Sequence, residues 1–431
     1  MVKRNLLKMV CVYALSMKHR ILAFLLAVCS ISYAWSDVLV YGYRQTGWPP
    51  NATYTGGVIR VSLPVAFYGE TVKSRVLLNG HSMSVTYIEN EAFLNCTRMT
   101  WLEMPSTISQ IGNFAFRNCV ALKSFTIPQK VTRLQNGVFL GCYRLATVTL
   151  PSVLTGYLGD AVFSGCTALK TINLSDCTIS EIGHRAFRYC RSLQSIDIPP
   201  TVTTIWRHAF QGCGLTDITL PPNISNLYQA TFADCPDLSE VTFQNQSVRV
   251  SIRDSVFAGC RSLQKVNPPQ LLIYIGQNSF ENCVSLREMD IPGSATHIDV
   301  GAFRNCSSLR KVVLRGSMEY IADSAFVGCQ SLDSVVSYIA SPCTVSEAAF
   351  FGVSPRCVLT VPYGCKHIYE SAGWTESVFK GGIREMPEPE GISRVRVGAD
   401  SGQWYDLEGR EVSRPARGRI YINRGRKVLK R

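Results

Sequence analysis

The chain has 431 residues, 46% of them hydrophobic and 17% charged, a balance that marks a folded protein and excludes a disordered one. Its formal charge of +13 sits at the two ends: residues 1–36 carry +5 and residues 392–431 carry +7, so the stretch between them holds only +1. A nearly neutral body has no field with which to collect polyanions, which argues against nucleic acid as a partner.

At the N-terminus, a basic stretch ending in Lys18, His19 and Arg20 precedes the apolar run 21–28, and small residues follow up to Ser36. This layout predicts a cleaved export signal over 1–36. An apolar core of about eight residues falls short of the ~20 that cross a bilayer, so no transmembrane span is predicted. Leu26-Ala27-Val28-Cys29 offers a rival reading as a lipoprotein signal, although Val28 stands where such signals place a small residue.

Residues 37–88 form a leader. From residue 89 a phrase recurs: Ala92-Phe93-Leu94-Asn95-Cys96, then Ala115-Phe116-Arg117-Asn118-Cys119, and so on through Phe326 and Cys329. The twelfth copy, at Phe350, has lost its Cys, and successive phenylalanines stand 22–25 residues apart. After each Cys comes Leu-x-x-Ile-x-Ile-Pro, as in Leu122-Lys123-Ser124-Phe125-Thr126-Ile127-Pro128. That in–out–in alternation is a strand with one buried face, and proline ends it. A second extended piece closes on glycine, as in Ser180-Glu181-Ile182-Gly183, where a corner with unusual backbone angles is expected. The Ala-Phe-x-x-Cys segment then completes the coil as a short helical or 3₁₀ turn with Phe and Cys inward. No single coil can bury its own Leu, Ile and Phe, so the expected fold class is a repeat solenoid of ~23-residue units, mainly β.

Seventeen cysteines would ordinarily suggest a disulfide framework, but eleven occupy the repeat position, one per coil. Stacked at about 4.8 Å with parallel Cβ vectors, they miss the ~3.8 Å separation and convergence that a disulfide needs. They are expected as unpaired, buried thiols. Cys343, Cys357 and Cys365 lie outside this series and leave one bridge open. No C-x-x-C pair or His cluster predicts a metal site.

The Ile-Gly-x-x-Ala-Phe-x-x-Cys-x-x-Leu-x-x-Ile-x-Ile-Pro pattern resembles the BspA-like leucine-rich repeat of surface proteins in Bacteroidetes and other host-associated microbes. The resemblance runs from about residue 58 to 383. It places a solenoid over 89–383, with a closing unit around Tyr369, Trp374 and Phe379. Departures stand at Trp206, in place of the usual Gly, and at Asn267-Pro268-Pro269, which interrupts a strand. Residues 384–391 read as a Pro/Glu linker. Beyond it, two alternating runs joined by glycine turns predict a small antiparallel β unit in the basic segment 392–431. That segment resembles the sorting tails associated with type IX secretion, which implies delivery to the outer surface or release.

The sequence has no P-loop, no G-x-S-x-G elbow and no dinucleotide fingerprint, so no enzyme and no cofactor are expected. His184 and His208 read as exposed turn residues. The candidate contact surface is the outward row of the principal strands: Ser124, Thr126, Thr147, Thr149, Thr171, Asn173, Ser195, Asp197, Asp217, Thr219, Glu240, Thr242, Lys265, Glu288, Asp290 and Lys311. Lys265 and Lys311 are expected beside Glu288 and Asp290 from neighbouring coils. The resemblance implies adhesion to a protein or glycan ligand on host or microbial surfaces. The alternative is a structural envelope component with no specific ligand. Oligomeric state is not legible.

Overall fold

Apolar side chains that return once per 22–25 residues must find their burial in the next coil, and the phenylalanines show this most directly. From Phe93 to Phe350 twelve rings form one column, in eleven steps of 4.9–5.6 Å between centroids, with neighbouring planes within 20° of parallel. All twelve are buried together with the repeat Leu, Ile and Cys side chains. This computed structural model describes residues 57–59, 74–78, 81–244, 247–388, 404–405, 410–413, 420–423 and 426–429. The export signal read at 1–36, with Cys11 and Cys29, lies outside the described residues, as does most of the segment 392–431.

Two sets of parallel strands run along the stack. One forms an eight-stranded ladder in chain order, from Thr155–Leu158 and Thr178–Ile182 to His297–Ile298 and Tyr320–Ile321. The principal strands form three separate stretches. Ser124–Thr126 pairs with Thr147–Thr149, which reaches Thr171 by a single bridge. Asp217–Leu220, Glu240–Phe243 and Lys265–Asn267 make the second. The third runs from Glu288–Ile291 through Lys311–Leu314, Ser334–Ser337 and Val358–Val361 to Ile383–Glu385.

Both interruptions have local causes. Cys213-Gly214-Leu215 is one residue shorter than the usual Cys-x-x-Leu, so residues 195–197 find no strand partner in the next coil. At the second, Pro268 and Pro269 follow Asn267 directly and cannot donate to a ladder.

The Ala-Phe-x-x-Cys turn carries the expected 3₁₀-type bond, from the Cys N–H to the Phe carbonyl three residues back, as from Cys119 to Phe116. Among the described residues a true 3₁₀ helix forms only at Glu347–Phe350. Elsewhere a left-handed residue two places before Phe and another two places after it turn the segment into tandem tight turns, as at Phe114 (φ 55°) and Asn118 (φ 59°). These turns also hydrogen-bond from coil to coil, Phe116 N–H to Val138 O at 2.9 Å and Asn118 N–H to Leu140 O at 2.8 Å. The second left-handed site is filled by Asn, Gly or Asp in every coil but one, where Tyr189 stands. These are the residue types that tolerate that region.

The corner glycines need correcting. Gly159 and Gly183 have ordinary φ; they are required because a Cβ would lie 2.4 Å from the Gln135 carbonyl oxygen and 2.5 Å from the Leu158 carbonyl oxygen of the preceding coil. Close backbone approach, not an unusual angle, selects glycine there.

The stack is closed at both ends. Arg75–Leu78 forms an antiparallel hairpin with His81–Ile88, which also pairs in parallel with Gly57–Ile59 and Gln110–Ile111. At the other end the Phe column stops against Trp374 and Phe379, 5.8 and 5.1 Å from Phe350. The short helix Lys366–Ser371 buries Tyr369, whose hydroxyl donates to the Ile339 carbonyl at 2.7 Å. Cys343, Cys357 and Cys365, left open to a bridge by the sequence, are all free thiols, as are the other described cysteines. In the tail, Ile420–Asn423 pairs antiparallel with both Arg426–Leu429 and Trp404–Tyr405, the β unit that the alternation predicts.

Candidate interaction face

The parallel register brings the outward residues of the principal strands into columns. Ser124 stands opposite Thr147 and Thr126 opposite Thr149; Asp217, Glu240 and Lys265 align, as do Thr219, Thr242 and Asn267; Glu288 stands opposite Lys311. Of the sixteen residues picked from sequence, fourteen are exposed, while Glu240 and Thr242 are half-buried. Asn173 turns away into a local loop, accepting from the Ser175 N–H at 2.9 Å and from the Ser175 hydroxyl at 2.7 Å.

The charged pairing differs from expectation. Lys265 Nζ bonds to Glu240 Oε1 at 2.7 Å instead of reaching Glu288, and Asn267 Nδ2 donates to the same oxygen at 2.9 Å. Asp290 is held by Arg315, which makes two parallel bonds of 2.7 and 2.9 Å and lies over the Tyr338 ring at 5.3 Å. Among the described ion pairs none joins Glu288 to Lys311, so these two charges remain available. The hydrogen bonds from Lys265 and Asn267 hold the Glu240 carboxyl below its ordinary value, and the Asp290 carboxylate raises the Arg315 guanidinium further.

Two depressions mark this face, and each sits at an interruption of the strand ladder. One of about 320 Å³ lies among Ser195, Asp197, Asp217, Thr219, Pro221 and Gln244. The other, of about 500 Å³, is lined by Lys265, Arg287, Glu288, Asp290, Lys311 and Arg315, among others. Sequence reading missed Arg315, Arg287 and Gln244. A signal for Arg315 exists: it takes the place after the strand where the preceding coil carries Pro292 and more distant coils carry Pro128 or Pro362. His184 and His208 are half-buried, not exposed; the His184 ring lies 4.9 Å from Trp206. Among the described residues no helix is long and apolar enough to cross a membrane.

Stacked coils of about 23 residues, one principal strand per coil and a polar strand face, define a leucine-rich-repeat solenoid. The chain belongs to the family described as BspA type Leucine rich repeat region, whose six copies match within residues 65–179, 156–251 and 246–357. It is similar to a leucine-rich repeat protein from Bacteroides ovatus, at 21% identity over 83% of this chain and 100% of that one, with a TM-score of 0.46. It is also similar to the pneumococcal vaccine antigen PcpA, at 16% identity over 78% and 96% of the two chains, with a TM-score of 0.46. A leucine rich cell surface protein from Faecalibacterium prausnitzii matches at 21% identity over 66% and 90%, with a TM-score of 0.36. No curated protein matches the chain.

Proposed function

We propose that this chain is an exported, non-enzymatic binding protein of the cell surface or secreted space. It engages a protein or glycan ligand on host or microbial surfaces through its principal-strand face. The observation that carries this reading is the 500 Å³ depression at the second ladder interruption, where Glu288 and Lys311 stand unpaired beside the locked Asp290–Arg315 pair. A flat strand face with fixed charges beside the free Arg287, Glu288 and Lys311 suits recognition of a complementary polar surface. The charge at 1–36 and 392–431 supports removal of an export signal and sorting through the tail. The linker expected at 384–391 starts later, after Met386, because Arg384 and Glu385 pair with Thr360 and Val361 and the Met386 N–H donates to the Val361 carbonyl.

The test is binding of the purified chain to immobilised basement-membrane extract and to intact epithelial cells, with soluble heparin present to suppress ionic capture. Saturable binding that E288K/K311E weakens at least fivefold supports adhesion through this face. A wild-type chain that shows no saturable binding to either surface points instead to a structural envelope component. Deletion of 392–431 tests sorting separately, by protease accessibility on intact cells. Unchanged surface exposure of the shortened chain removes the tail from the account.

A further inference from the structure

A second charged surface lies away from the principal strands, on the turns of two adjacent coils. Residues 184–213 hold four arginines and one acid, Asp197, and that acid belongs to the principal-strand face. Arg185, Arg188 and Arg191 lie on one coil and Arg207 on the next, and the coils are joined there by the Arg185 N–H donating to the Arg207 carbonyl at 3.0 Å.

Arg188 and Arg191 rest against neutral groups. Arg188 donates from Nε to Gln211 Oε1 at 2.9 Å and from Nη2 to the Tyr189 hydroxyl at 2.9 Å, while its guanidinium lies 4.5 Å from the Tyr189 ring centre. Arg191 lies 5.9 Å from the same ring. Tyr189 itself is left-handed (φ 61°) and its ring covers Gly212, where a Cβ would come within 2.5 Å of it. A tyrosine at a site otherwise filled by Asn, Gly or Asp is a local departure that places an aromatic ring against two guanidinium groups.

The neighbouring acids are engaged by neutral donors. Glu181 accepts from Trp206 Nε1 at 2.7 Å, Asp234 from Gln211 Nε2 at 3.1 Å, and Asp160 from the His184 N–H at 2.8 Å and from the Tyr157 hydroxyl. None of the ion pairs among the described residues includes Arg185, Arg188, Arg191 or Arg207. Burial together with the positive charges of Arg185, Arg188 and Arg207 pushes the His208 imidazole below its ordinary value.

We propose that this ridge is a binding site for a sulfated polysaccharide. Guanidinium groups carried on the turns of two hydrogen-bonded coils, and in no ion pair, fit a row of sulfate groups, each with three acceptor oxygens, better than a single carboxylate. Sulfate also stays ionised throughout the physiological pH range. The adjacent aromatics disfavour single-stranded nucleic acid, whose bases need open ring faces. Trp206 is covered on one side by Tyr228, 4.4 Å away and 14° from parallel, and on the other by His184. The site is separate from the principal-strand face, and its test does not depend on that face.

The experiment measures affinity of the full chain for heparin of defined length, with hyaluronate as a carboxylate-only chain and a dT20 oligonucleotide as comparators. Heparin binding at least tenfold tighter than either comparator is expected, falling at least tenfold in R185A/R207A. Equal or tighter binding of dT20 or hyaluronate overturns the sulfate assignment. Wild-type affinity in R185A/R207A overturns the site. If that variant loses its melting transition, R185K/R207K decides in its place: weakening of at least threefold supports guanidinium recognition, and no change overturns it.

Discussion

The thiol of Cys142 donates to the main-chain carbonyl of Phe116 in the preceding coil, at 3.1 Å. The same oxygen also accepts the N–H of Cys119 in its own coil, at 3.2 Å. Each repeat Cys from Cys119 to Cys329 makes the equivalent bond at 3.0–3.2 Å. The residue between Phe and Leu is therefore a small apolar filler with a donor that ties one coil to the next.

Burial raises the thiols of Cys119, Cys166, Cys190, Cys260 and Cys306 well above their ordinary value. Thiolate, the reactive form, is thus scarce at neutral pH. The folded chain is expected to leave its repeat cysteines unlabelled by a thiol reagent over hours. After denaturation without reductant, all eleven should react. Near-zero labelling of the denatured chain would show that they are oxidised in pairs.

Phe232 lies between Phe210 and Phe257, with centroids at 5.2 and 5.6 Å, and is fully buried. Phe232→Ala should cost about 3–5 kcal/mol, from lost transfer energy and the cavity left behind. Because each coil touches only its neighbours, the damage should stay local. Hydrogen exchange is expected to quicken in coils 210–260 while the region around Phe116 keeps its protection. Uniform loss along the chain would contradict the one-dimensional account.

Asn118 is left-handed and its Nδ2 donates to Asn95 Oδ1 at 2.9 Å. Asn118→Gly keeps the backbone angle and loses one exposed bond, so its denaturation midpoint should move little. Asn118→Val places a β-branched side chain in that region and should cost about 1–2 kcal/mol. Equal midpoints for the two variants would remove the conformational argument.

The repeat period, the inward Phe and Cys, the strand alternation and the closing aromatics were legible because burial imposes its own spacing on the sequence. The left-handed turn sites were legible too, in the run Asn95, Asn118, Gly141, Gly165, Gly212 and Asp234, but a helical turn satisfies the same inward positions and hides them. Which glycines guard a close approach depends on the carbonyl of the preceding coil, as Gly159 shows, and no local pattern carries that. The charged side chains point outward as the alternation implies, but their ion pairs differ from those expected. Lys265 pairs with Glu240, on the strand its own strand bonds to, and not with Glu288 across the ladder break; Pro268-Pro269 signals that break in the sequence, but not which carboxylate the lysine takes.

The Glu240–Lys265 pair gives that face a titration signature. Glu240 accepts from Lys265 and Asn267, and both bonds favour its charged form, so its folded pKa lies below the unfolded value of about 4.3. A depressed carboxyl contributes stability that is present above the unfolded value and lost as pH falls through the folded one. The effect on stability belongs to acid conditions and is small, because the pair is solvent-exposed and screened by salt. Its clearer readout is the carboxyl itself. In an NMR titration, Glu240 should ionise below the usual glutamate range; Lys265→Ala should move its midpoint up, and 0.5 M salt should narrow the gap between the two proteins. A wild-type Glu240 with an ordinary midpoint that Lys265→Ala leaves in place would mean the pair does not hold in solution. Lys265 would then be a further free charge on the face, and the depression beside it would present three unpaired cations, Lys265, Arg287 and Lys311, against Glu288.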